Sequence, residues 1–85
     1  MVVFSKTYCG FCSSTKGLFE KLGVDAKIIE LDVMGSEGAA VQDALVEMTG
    51  QRSVPNVFIK GQHIGGNDDT QAAARSGKLQ EMLGI

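Results

Sequence analysis

The chain has 85 residues and a formal net charge of −2, enough for one small domain over residues 1–85 with no room for a second. Val, Ile, Leu and Phe make up about 27% of it, above the disordered range, so it is expected to fold on its own core. Lysines and arginines are scattered singly, which argues against a nucleic-acid stripe or a polybasic membrane anchor. No window approaches the roughly 18 apolar residues of a spanning helix.

In chain order, Val2 to Ser5 reads as a short buried strand that turns polar at Lys6 and Thr7. Thr7-Tyr8-Cys9-Gly10-Phe11-Cys12 follows at once, and from Phe11 to Leu22 apolar residues recur at helical intervals up to Gly23. A Cys-x-x-Cys at a strand-to-helix junction reads as a thioredoxin-like redox site. If the helix begins at Gly10 or Phe11, Cys9 is its N-cap, facing unpaired N–H groups and the positive end of the dipole. Such a place favours thiolate over thiol.

Two other readings of the pair are weaker. A structural disulfide across so short a loop constrains almost no chain entropy. Zinc wants four ligands, and only these two sulfurs and the distant His63 are offered. Two cysteines set in one motif are no secreted disulfide framework, which points to a reducing, cytoplasmic compartment. Met1 abuts the first strand, so removal of an upstream helix or an organelle transit peptide is compatible with this start.

Ala26 to Asp32 reads as a second strand, parallel to the first across a right-handed crossover. Glu37 to Met48 carries Val41, Ala44, Leu45 and Met48 on one helical face, with Gly50 beyond its end. Val54-Pro55 opens a third strand, Asn56 to Lys60. Gly61 turns it into a fourth, His63 to Gly65, as an antiparallel hairpin. Gly66-Asn67 then caps a helix from Asp68 to Arg75, broken at Gly77 and resumed through Leu79, Met82 and Leu83. His63 is read as an ordinary strand residue.

The order βαβαββα carries Phe4-Ser5-Lys6-Thr7-Tyr8-Cys9, then Thr49 to Ile59 (TGQRSVPNVFI), then Gly65-Gly66-Asn67-Asp68-Asp69. Together these resemble a dithiol glutaredoxin over essentially the whole chain. The resemblance implies an α/β thioredoxin fold, with a four-stranded mixed sheet flanked by helices. Three departures stand out: Gly10-Phe11 where Pro-Tyr is frequent, Asn67 where many members have cysteine, and no extra helix at the start. Tyr8 occupies the place of the thioredoxin tryptophan, against a thioredoxin.

The resemblance further implies a glutathione-dependent thiol-disulfide oxidoreductase in which Cys9 attacks the glutathione sulfur of a mixed disulfide and is released by free glutathione. A stabilised thiolate gains little as attacker, because nucleophilicity falls with its basicity, but it is a good leaving group in the second step. Cys12 reads either as the resolving thiol for protein disulfides or as a small packed hydrophobe. By resemblance the bond before Pro55 is cis, which turns the Val54 N–H and C=O toward an extended glutathione backbone; alternatively Pro55 only begins an edge strand. Lys6 and Gln42, with Arg52 nearby, are expected to take the glycine carboxylate. The N–H groups after Gly66, at Asn67 and Asp68, are expected to take the γ-glutamyl carboxylate, and the Asp68 carboxylate its ammonium. Tyr8 and Phe11 are read as aromatics flanking the sulfur or as packing. The expected partners are glutathione and glutathionylated or disulfide-bonded proteins, with the reductase a monomer. An alternative from another class is a homodimer bridging a [2Fe-2S] centre through two Cys9 thiolates and two glutathiones, with Gly10 leaving room for it.

Overall fold

A computed structural model describes residues 1–85 as β1 (Val2–Ser5), α1 (Gly10–Leu22), β2 (Lys27–Glu30), a 3-10 turn (Leu31–Val33), α2 (Ser36–Thr49), β3 (Asn56–Ile59), β4 (Gln62–Gly65), α3 (Asn67–Ser76) and α4 (Lys78–Leu83). The strands make one sheet in the order β2-β1-β3-β4. β1 runs parallel to β2, Val3 opposite Ile28 and Ser5 opposite Glu30, while β3 is antiparallel to both β1 and β4. This is the thioredoxin fold.

Alternation along the strands decides what each face buries. Val3 on β1 and its partner Val57 on β3 join Ile59, Phe19 of α1 and Leu79 of α4 in a core whose members are at most 2% exposed. Helix α1 buries Cys12, Thr15 and Phe19, a spacing of three and four residues that places the second cysteine on the same inward stripe as the core phenylalanine. On the other face, Phe4 meets Phe58 edge to face at 5.9 Å, beneath Val41, Ala44 and Leu45 of α2.

Several boundaries differ from those expected. β2 was expected to reach Asp32 but ends at Glu30. Its partner β1 stops at Ser5, the residue opposite Glu30, so the chain beyond has no ladder to join. Leu31 is buried there in the turn, and Asp32 is drawn toward Thr7. β3 ends at Ile59 rather than Lys60, because Lys60 and Gly61 form the hairpin turn with φ of 51° and 79°, the pairing a two-residue hairpin needs. Helix α2 is one residue longer at each end than the apolar spacing implied, and β4 starts one residue earlier, at Gln62.

The last helical region begins at Asn67, not Asp68. Gly66 is the N-cap and supplies no side chain. Gly77, at φ 83°, divides α3 from α4.

Candidate active site

Cys9 sits where β1 has ended and α1 begins. It has the extended conformation of an N-cap, φ −89° and ψ 118°, and its Sγ accepts the Cys12 N–H at 3.2 Å. The same Sγ lies 3.6 Å from the Val54 carbonyl oxygen. Cys9 is half-buried and Cys12 fully buried, both as free thiols. One sulfur is therefore open to a substrate while the other faces only the interior.

Burial pushes the Cys12 thiol above the ordinary value, and the neighbouring Cys9 side chain pushes it further; the Ser5 hydroxyl and the Lys6 N–H oppose this without reversing it. The fold thus holds the Cys12 proton more tightly than the unfolded chain does. The stability it contributes is fully present below the unfolded thiol value, about 8.5, and is lost as pH rises through the raised folded value. In thermal melts of the reduced protein between about pH 8 and 10, the wild type should lose more stability than Cys12→Ala. Parallel slopes would remove Cys12 as the cause.

The loop before Cys9 is tied from both sides. The Cys9 N–H donates to the Lys6 carbonyl at 3.1 Å. The Asp32 carboxylate accepts the Thr7 N–H at 3.0 Å and, through its other oxygen, the Thr7 hydroxyl. Those bonds, the hydroxyl first, hold the Asp32 carboxyl below its usual value, with the nearby Lys6 charge in support. Tyr8 and Phe11 bracket Cys9 in sequence and stand in solvent at 74% and 66% exposure, so neither is packing.

Across from Cys9 lies the loop before β3. The Val54–Pro55 bond is cis, and Pro55 is buried. Beside it the N-terminus of α3 offers the N–H groups of Asn67, Asp68 and Asp69, since the first intrahelical bond of the turn is that of Thr70 to Gly66. Asp68 and Asp69 are exposed in this first turn. The Asn67 side chain is not a cap. Its Oδ1 accepts the Thr15 hydroxyl at 2.9 Å and the Gln71 amide at 3.2 Å, pinning α3 to α1.

Between these elements is an open cleft of about 380 Å³. Six of the residues expected at the site line it: Phe11, Val54, Pro55, Gly66, Asn67 and Asp68. Gln51, Ser53 and Asp69 also line it and were missed, having no local pattern that marks them. Lys6, Tyr8, Gln42 and Arg52 lie outside its wall. Gln42 donates its amide to the Arg52 carbonyl at 2.7 Å, and the Arg52 guanidinium pairs with Asp43 at 2.8 Å on the exposed surface. His63 is turned away from this site, with its Nε2 2.7 Å from the Asn56 Oδ1.

A [2Fe-2S] centre wants four thiolates. One chain offers it only the half-buried Cys9, since Cys12 is fully buried and no group of three or more His, Cys, Asp or Glu side chains comes together, so the other ligands would have to come from a second Cys9 and glutathione. No helix is long and apolar enough to cross a membrane.

An accessible cysteine capping a helix, with a second thiol one turn inside, is placed to exchange thiols for disulfides. On this fold that defines a thiol-disulfide oxidoreductase. The family model for glutaredoxins matches residues 1–64. Glutaredoxin-C6 of Oryza sativa subsp. japonica is 58% identical over 83 residues, 98% of this chain and 73% of the relative. Among solved structures, a buckwheat glutaredoxin-glutathione complex has a TM-score of 0.92 at 58% identity, covering 96% of this chain and 74% of that one. The holo form of glutaredoxin C1 from Populus tremula x tremuloides has a TM-score of 0.91 at 45% identity, covering 96% and 80%. The chain belongs to the glutaredoxin family.

Proposed function

We propose that this glutaredoxin is glutathione-dependent and reduces glutathione mixed disulfides through Cys9. The observation that carries the reading is the cleft, which has Phe11, the residue between the cysteines, in one wall and the α3 N-terminus with Asp68 in another. The γ-glutamyl end of glutathione is a zwitterion. Helix N–H groups suit its carboxylate and an aspartate suits its ammonium, and both lie within one turn of helix. The buckwheat relative, described as a glutathione complex, supports the same assignment.

In the first step the Cys9 thiolate attacks the glutathione sulfur of a mixed disulfide. A Cys9–glutathione disulfide forms, the old disulfide breaks, and the substrate thiol leaves with the electron pair. A second glutathione thiolate then attacks that disulfide, giving oxidised glutathione and restoring the Cys9 thiolate. The Cys12 N–H at 3.2 Å stabilises charge on Cys9 before the first step and after the second. The Val54 N–H and C=O pair with the tripeptide backbone as an added strand would. Lys6, which makes no salt bridge, meets the glycine carboxylate together with Gln42, and Arg52 assists with donors beyond the one given to Asp43. Tyr8 faces the outgoing substrate.

Cys12 closes a disulfide with Cys9 when the substrate is itself a protein disulfide. The reading requires free thiols, hence a compartment supplied with reduced glutathione. Relatives from rice and Arabidopsis thaliana are named chloroplastic, which is in keeping with a compartment other than the cytoplasm.

The test compares a glutathionylated peptide with the same peptide carrying a cysteine mixed disulfide. Preference for the first is expected, and equal turnover would remove glutathione recognition. Where the bound tripeptide partly buries the ion pair, Asp68→Ala should cost about 1 to 3 kcal/mol in kcat/KM for the glutathionylated peptide by leaving the ammonium unpaired. An unchanged value would take Asp68 out of the site.

A further inference from the structure

We propose that Gln51 is a positioning residue, whose side-chain amide holds the Val54 peptide in place for pairing with the substrate backbone. Gln51 follows the Gly50 cap of α2, and its N–H donates to the Thr49 hydroxyl at 3.1 Å, which in turn donates to the Leu45 carbonyl at 2.7 Å. Its backbone is thereby fixed to the end of a helix.

From that anchor the side chain reaches over the loop. Nε2 donates to the Ser53 carbonyl and to the Pro55 carbonyl, each at 3.0 Å. These are the carbonyls on either side of Val54. A carboxamide nitrogen has two N–H donors, and both are committed to this strap. The α3 N-cap closes on the same bond: a Cβ placed on Gly66 would stand 3.6 Å from the Pro55 oxygen and 3.8 Å from Gln51 Nε2. On the other side the Val54 carbonyl oxygen lies 3.6 Å from Cys9 Sγ. One amide thus sets the loop against the end of α2, the start of α3 and the reacting sulfur.

The inference rests on the glutathione reading, because the peptide that Gln51 orients is the one proposed to pair with the tripeptide. Gln51 touches neither sulfur, so its loss should weaken binding more than chemistry. Small misplacements of positioned groups have large effects, and rigidity in the bound geometry raises affinity.

The experiment uses the full chain, a glutathionylated peptide, and the variants Gln51→Met and Gln51→Glu. At about pH 7.5 both should raise KM about tenfold or more, with kcat within about threefold. In Gln51→Glu two donors give way to a carboxylate facing two carbonyl oxygens; toward pH 5 its protonation restores one O–H donor. The ratio of its KM to the wild-type KM should therefore shrink toward pH 5, while the ratio for Gln51→Met stays flat. Wild-type KM in Gln51→Met, or a pH-independent ratio in Gln51→Glu, overturns the proposal. If Gln51→Glu does not fold, Gln51→Met decides alone, since it adds no charge. A wild type that does not prefer the glutathionylated peptide to the cysteinylated one overturns the glutathione reading instead.

Discussion

Replacing Cys9 by serine should bring turnover of a glutathionylated peptide down to the uncatalysed rate, while Cys12→Ser keeps most of it. The asymmetry follows from access. Cys9 is half-buried with its Sγ 3.6 Å from the carbonyl oxygen of Val54, a residue that lines the cleft, whereas Cys12 has no exposed surface and has Cys9 as its one redox neighbour. On the proposed mechanism an incoming mixed disulfide therefore meets a single nucleophile, and free glutathione resolves the intermediate without help from Cys12. Serine at position 9 is also among the best N-caps, and its hydroxyl can still accept the Cys12 N–H. The melting temperature of Cys9→Ser should hold or rise, so the lost activity cannot be assigned to unfolding. Reduction of a protein disulfide should need both cysteines. Equal loss of the glutathione reaction in both single variants would overturn the one-cysteine mechanism and put Cys12 in every turnover.

What could be read from the chain beforehand was whatever is settled within a few residues. The N-cap position of Cys9 follows from an apolar strand running into helical spacing with one polar turn between. The inward placement of Cys12 follows from its offset of three to Thr15 and seven to Phe19, on a stripe the helix must bury. Features made by distant partners were illegible. β2 stops short because β1 offers no partner beyond Ser5, and Asp32 is bonded instead to Thr7, 25 residues earlier. Asn67 looked like a cap because such residues usually cap, but its amide is taken by Thr15, 52 residues away. Capping and tertiary bonding compete for the same side-chain oxygen, and only the folded chain shows which wins. The cis bond before Pro55 came from the resemblance, since bare statistics oppose it. Gln51 lies within the stretch that carries the resemblance, but its role was not legible, because a glutamine after a helix cap has no local preference that distinguishes a strap from a surface side chain.

The same long-range dependence makes Gly38→Ala a damaging packing change. Gly38 is buried on α2 where the helix crosses the 3-10 turn. A Cβ there would overlap the Leu31 carbonyl oxygen, far closer than van der Waals contact, and stand 2.9 Å from its carbon and 3.2 Å from the Met34 Cβ. The obstacle is backbone, so no rotamer change relieves it, and either α2 or the turn must move. Overpacking of this kind costs about 1 to 3 kcal/mol, here at the upper end, and alanine's better helix propensity returns about 1. A net loss of about 2 kcal/mol should lower the melting temperature by about 10 °C in a domain of this size. The displaced turn is also the one that carries Asp32, whose carboxylate holds Thr7 two residues before Cys9. Activity should accordingly fall along with stability, even at temperatures where the variant is fully folded. Gly17→Ala is the matched control, an exposed glycine on α1 whose added Cβ would have nothing within 4 Å, and it should gain about 1 kcal/mol. If Gly38→Ala melts no lower than the wild type, the close approach of α2 to Leu31 is not what limits this position, and the route from α2 through Asp32 to the active-site loop goes with it.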